Sequence, residues 1–172
     1  QLEAEKEFGD KANDWPQLPI APRAMLMGGI CQMERGQSDT ALITFEALRK
    51  RFKKGPLHDA EMFWEGMALS LERRYDKALE RIAVYLEAYP KGRYTPAAAF
   101  EKARCLHNQT KHAEAASLFQ TWLKQHRGDR QENEARLLLA ESLMAEGEMG
   151  AGLKMLTEIP EDDPKLWEEA QF

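Results

Sequence analysis

The chain has 172 residues, of which 43% are hydrophobic and 31% charged, and 24 Lys and Arg stand against 29 Asp and Glu for a formal net charge of -5. A chain of this size and apolar content can bury a core as one domain or one short repeat array, which excludes disorder throughout, and its acidic balance gives no global attraction for nucleic acid or an anionic membrane. No run approaches the roughly 20 apolar residues of a membrane-spanning helix, and two cysteines, Cys31 and Cys105, do not make a disulfide framework.

A fixed spacing of 37 residues organises the sequence. Ala41, Ala78, Ala115 and Gly152 follow one another at that interval, as do Gly29, Gly66, Ala103 and Ala140, and both columns hold only small residues. Four positions after the first column comes a large one: Phe45, Ile82, Phe119 and Leu156. Small, small, large thus recurs four times in one register without an insertion. A period between 20 and 50 residues marks stacked supersecondary units.

In chain order, Gln1-Leu2-Glu3-Ala4-Glu5-Lys6 lacks the apolar stretch of a signal peptide, and a start at Gln1 leaves the preceding sequence open. Ala4 and Phe8 fall one period before Ala41 and Phe45, so residues 1–21 are expected to hold part of a preceding helix and then a connector extended by Pro16, Pro19 and Pro22. Four units are expected over 22–160, at about 22–58, 59–95, 96–132 and 133–160. The second is the clearest. Phe63, Gly66, Met67, Ser70 and Leu71 make one helical face, Glu72-Arg73-Arg74 a polar turn, and Tyr75, Ala78, Leu79, Ile82, Leu86 and Tyr89 a second helical stripe. Tyr89-Pro90-Lys91-Gly92 stops that helix, and Thr95-Pro96 opens the next unit with an N-cap and a first-turn proline. Beyond 160, Asp163-Pro164-Lys165-Leu166-Trp167 predicts a capping helix over 161–172 whose apolar face seals the last unit.

One hairpin cannot bury its apolar face alone, whereas four stacked hairpins can. In that order, a small residue in the first helix, then Ala, a large apolar residue and Pro, the columns resemble the tetratricopeptide repeat. Gly66, Leu69, Tyr75, Ala78, Ile82 and Pro90 carry the resemblance best, while the fourth unit departs with Gly152 and an early Pro160. The resemblance implies an all-α, right-handed solenoid of helical hairpins with terminal extra helices. The stretch Tyr85-Leu86-Glu87-Ala88-Tyr89-Pro90-Lys91-Gly92-Arg93-Tyr94 is similar to a bacterial subgroup that includes outer-membrane assembly and Tol-Pal-associated proteins. That likeness implies a periplasmic or lipid-anchored scaffold.

The residues themselves offer little chemistry. His58, His107, His112 and His126 include no pair four apart on one helical face, so no metal site is expected. No phosphate cradle, nucleophile elbow or metalloprotease box occurs, so neither a catalytic residue nor a cofactor is expected. Cys31 and Cys105 stand in equivalent columns two units apart, too far for a disulfide in stacked hairpins. The basic run Arg49-Lys50-Arg51-Phe52-Lys53-Lys54 lies at a helix end, complements the helix dipole and has no copy in the other units, so no nucleic acid is expected.

In such a solenoid the first helix of each hairpin lines the inner curve. Projecting the pattern selects Met27, Ile30, Met33 and Glu34, then Trp64, Met67 and Leu71, then Arg104, His107 and Asn108, and finally Glu141 and Met144. Methionines with an aromatic suit an adaptable peptide groove, with Arg104 or His107 to orient a polar end; packing between units is the competing role for the apolar members. The leading expectation is a non-catalytic scaffold for a peptide or protein, without membrane insertion of this segment. The alternatives are a helical accessory domain of a larger enzyme and a module that self-associates through apolar solenoid ends.

Overall fold

The computed structural model describes residues 20–160 apart from 54 and 56. The partial helix and connector expected over 1–21 therefore fall almost wholly, and the capping helix over 161–172 entirely, outside the described residues. Between them lie eight helices and no strand: α1 (Ala21–Glu34), α2 (Ser38–Arg51), α3 (His58–Leu71), α4 (Tyr75–Ala88), α5 (Thr95–Asn108), α6 (His112–Gln125), α7 (Glu132–Ala145) and α8 (Met149–Thr157). The fold is the expected all-α helical repeat. Within the described residues no helix is long and apolar enough to cross a membrane.

The first seven helices have 14 residues each, and they alternate with three-residue turns and six-residue loops. The chain divides after Thr95 into two compact units. In the first, α1 packs on α2 and α3 on α4, while α3 also meets both helices of the preceding hairpin. In the second, α7 lies against α6 and α8, and Phe100 of α5 meets Phe119 and Trp122 of α6 edge-on at 5.7 and 5.5 Å.

The small columns mark the places where paired helices approach. A Cβ on Gly29 would sit 2.3 Å from the Phe45 ring, and one on Gly66 would sit 2.9 Å from Ile82 Cγ1. Ala41, Ala78 and Ala115 are buried beside the equally buried Phe45, Ile82 and Phe119. Each large side chain so enclosed contributes about 1.5–3 kcal/mol.

The turns inside the hairpins repeat as strictly as the helices. Gly36, Arg73, Thr110 and Gly147, again 37 apart, all have positive φ, from 55° to 85°. After each, the next N–H donates back across the helix end: Gln37 to Gln32 O, Arg74 to Leu69 O, Lys111 to Leu106 O and Glu148 to Leu143 O, at 2.8–3.0 Å. This left-handed closure satisfies carbonyls that the helix end would otherwise leave open. Arg and Thr pay for the conformation that Gly adopts freely, and Thr is the worse placed because it is β-branched. At the start of α5 the Thr95 hydroxyl, expected as an N-cap, donates to Tyr89 O at 2.7 Å and ties the loop to α4.

Thr110→Gly is predicted to stabilise the chain by about 0.5–1 kcal/mol, measured by urea denaturation. Unchanged or lowered stability would show that the turn imposes no strain.

Candidate functional site

In the first unit, α1 and α3 present Met27 and Leu71 to solvent, with 42% and 50% of their surface exposed, and Glu34 is exposed beside them. Ile30, Trp64 and Met67 are half-buried and pack against the core cluster of Leu26, Phe45, Leu48 and Ala68. The Trp64 ring meets Phe63 edge-on at 5.2 Å. Its indole N–H is buried without a hydrogen-bond partner among the described residues. Met33 does not belong to this surface. It is only 8% exposed and part of the core, because its position on α1 faces inward toward the hairpin partner.

In the second unit, α5 and α7 bring His107 into polar contact with Glu141 and Ser142, while Arg104, one turn earlier on α5, pairs with other carboxylates. His107 Nδ1 lies 2.9 Å from Ser142 Oγ and Nε2 lies 3.3 Å from Glu141 Oε2. Serine, imidazole and carboxylate in this order suggest a hydrolytic relay. However, Ser142 is fully buried and its hydroxyl donates to Leu138 O at 2.7 Å, so the oxygen is neither reachable nor free to be activated. Asn108 is exposed. Met144 turns away from this group: its Cγ would lie 2.5 Å from a Cβ on Gly152. It fills the α7–α8 crossing, so it is a packing residue rather than part of an open face.

Arg104 is more deeply engaged than a surface cation. Its guanidinium is 2.7 Å from Glu101, whose side chain is buried, and 3.7 Å from Glu134. Burial works against its charge, yet Glu101 and Glu134 hold its pKa above the ordinary value. Arg104→Glu would put a third carboxylate into this group and is predicted to destabilise the chain by about 3 kcal/mol or more, read as a lowered thermal midpoint. Retention of full stability would mean that the Arg104–Glu101 pair contributes nothing to folding.

Sequence patterning missed a charged group in the first unit. Glu61 of α3 is 1% exposed and is met by Arg81 of α4 at 3.1 Å, Arg49 of α2 at 3.4 Å and His58 at 3.2 Å. Glu65 takes Arg81 Nε at 2.6 Å and also binds Arg49. The signal was present in the columns, because Glu61 stands where the other units have Ala24, Ala98 and Ala135, all buried. The same contacts draw Arg49 out of the basic run, while Lys50 pairs with Glu46 at 2.7 Å and Arg51 lies over the Phe52 ring.

Burial pushes the Glu61 carboxyl up to about 7; Arg81 and Arg49 oppose the rise and Glu65 adds to it. A carboxyl raised in this way contributes stability that is fully present below its ordinary value of 4.5 and is lost as the pH climbs through about 7. From pH 5 to pH 8 the chain should therefore lose about 1–2 kcal/mol relative to Glu61→Gln, with screening allowed for. Parallel denaturation of the two proteins measures this, and identical pH profiles would contradict it.

A groove of about 830 Å³ lies over this group between α2 and α4, and a second of about 600 Å³ lies between α6 and α8. The two occupy equivalent positions 74 residues apart, but Arg49, Glu65 and Arg81 in one are Leu123, Leu139 and Met155 in the other. The described residues contain no group of three or more His, Cys, Asp or Glu placed to hold a metal ion. Cys31, half-buried, and Cys105, buried, are not in a disulfide.

Residues 20–171 match a family model described as tetratricopeptide repeat protein 21 ARM repeat. No curated protein matches the chain. Among solved structures, a putative kinesin light chain from Podosopora anserina with nearly identical TPR-like repeats, in its Q17M form, superposes with a TM-score of 0.75 at 15% identity, over 91% of this chain and 84% of that one. YrrB, described as a TPR protein with an unusual peptide-binding site, gives 0.73 at 17% identity over 99% and 84%. MamA from Desulfovibrio magneticus RS-1 gives 0.68 at 13% identity over 98% of both chains. At these identities the likeness is one of fold.

Proposed function

The chain belongs to the tetratricopeptide repeat protein 21 ARM repeat family, and on that premise we propose that it is a non-catalytic scaffold that binds a peptide or protein segment on the faces of its first helices. The observation that carries this reading is the uncovered apolar surface of α1 and α3, where Met27 and Leu71 are exposed beside half-buried Ile30, Trp64 and Met67. Methionine side chains adapt to varied apolar partners. The peptide-binding site of YrrB, a protein of the same fold, supports this class of ligand.

In the second unit, His107, Asn108 and Glu141 supply polar contacts for the same kind of segment, with Arg104 holding the local carboxylates in place. The pairing of Arg49 and Lys50 with glutamates leaves the basic run poorly suited to phosphate, so the ligand is proposed to be protein and not nucleic acid. A bacterial cell-envelope assembly is the proposed setting, on the resemblance carried by Tyr85 through Tyr94.

Peptides selected on the chain from a random library should lose at least about tenfold in affinity, or about 1.4 kcal/mol, on Met27→Glu with Leu71→Glu. The melting temperature should not change, because both side chains are exposed. Unaltered binding by that double variant would remove the first-helix face as the site.

A further inference from the structure

The groove between α6 and α8 has an apolar floor, formed by Leu123, Leu139, Leu143 and Met155. Its rim is cationic. Arg136 is paired with Glu132 and Glu158, whereas Lys124, Arg127 and Lys154 are exposed and form no ion pair among the described residues. The equivalent groove between α2 and α4 is balanced, with Arg49, Arg74, Lys77 and Arg81 along it set against Asp39, Glu46, Glu65 and Glu80, and has no excess of one sign. Two grooves of one repeat thus differ in the occupant they suit, and the second calls for a segment both acidic and apolar.

We propose that this groove is the docking site of the chain's own segment 161–172. The segment reads Glu-Asp-Asp-Pro-Lys-Leu-Trp-Glu-Glu-Ala-Gln-Phe, with five carboxylates against one lysine and with Leu166, Trp167 and Phe172 to cover the floor. Charge complementarity with Lys124, Arg127 and Lys154 sets its position, and burial of the three large apolar side chains supplies the affinity. The connection is short: Glu158 itself lines the groove, so the segment starts at the groove's end. Twelve residues span about 18 Å as a helix or about 40 Å extended, and α6 with its 14 residues is about 21 Å long. Tethering at this distance gives the segment a millimolar effective concentration, of the order expected for short linkers. An acidic, apolar segment of a partner would have to displace it. This surface is separate from the first-helix faces proposed for peptide binding.

The test is zero-length carbodiimide cross-linking of the full chain at low concentration, mapped by mass spectrometry. Lys124 is on α6, across the groove from the point where the segment leaves α8. Links from Lys124 to Glu168 or Glu169 within one molecule are expected, and the Lys50–Glu46 pair, 2.7 Å apart, is the internal control. Leu166→Asp with Trp167→Asp should lower the Lys124 link at least about fivefold without changing helicity, and Arg127→Glu with Lys154→Glu should do the same. The Lys50–Glu46 link without any Lys124 link overturns the proposal. So does a Lys124 link that persists undiminished in both variants, or one found only between isotopically distinct copies, which would give the groove to a second molecule.

Discussion

The approach of two helices at a residue too small to hold them apart governs the rest of this molecule. Where α1 crosses α2, Gly29 leaves room for the Phe45 ring, and a single added carbon would collide with it. Where α3 crosses α4, Gly66 does the same for Ile82. Close crossing allows the 14-residue helices to enclose large residues such as Phe45 and Ile82 with few voids, and packing at that density makes the hairpin register strict. The turn after each first helix follows from it: three residues must reverse the chain, which requires the positive φ seen at Gly36, Arg73, Thr110 and Gly147. The remaining sides of each helix are then free to pack on a neighbouring hairpin or to face solvent.

The two inter-hairpin grooves show one packing problem solved twice. In one unit Arg49, Glu65 and Arg81 lie under the groove with Glu61 buried beside them; in the other Leu123, Leu139 and Met155 occupy the same positions. Apolar residues of similar volume commonly match or exceed the stability of a buried ion group, because removing charges from water costs several kcal/mol per ion. The charged version therefore adds little net stability. It adds a dependence on pH and a demand that all partners be present. The raised carboxyl of Glu61 expresses that demand, since neither guanidinium fully compensates for its burial.

Much of the fold was legible because small and large residues recur at one interval, and steric fit makes such columns informative without any comparison sequence. The turn closure was harder to see. Arg73 and Thr110 occupy left-handed positions but are not residues that signal them; only Gly36 and Gly147, one period away, mark the conformation. The candidate binding face was legible in outline only. Met27 and Met33, six residues apart, lie about 120° from each other around α1, so a stripe wide enough to include both runs from an exposed side to the core. Met144 went astray for a related reason: its long, flexible side chain reaches the space left by Gly152. Glu61 was hidden by its residue type, since acidic residues are expected at the surface unless the Ala column around it is consulted.

These observations give a helical-repeat scaffold whose second helices carry two grooves of different charge and whose first helices, in one unit, keep apolar side chains uncovered. The most direct measurement of the proposed binding face is NMR of the chain labelled at its eight methionine methyl groups, titrated with a library-selected peptide. Met27 and Met67 should shift together with a common affinity, while Met149 and Met155 of α8 remain in place. Shifts confined to Met149 and Met155, with Met27 and Met67 unmoved, would contradict the account.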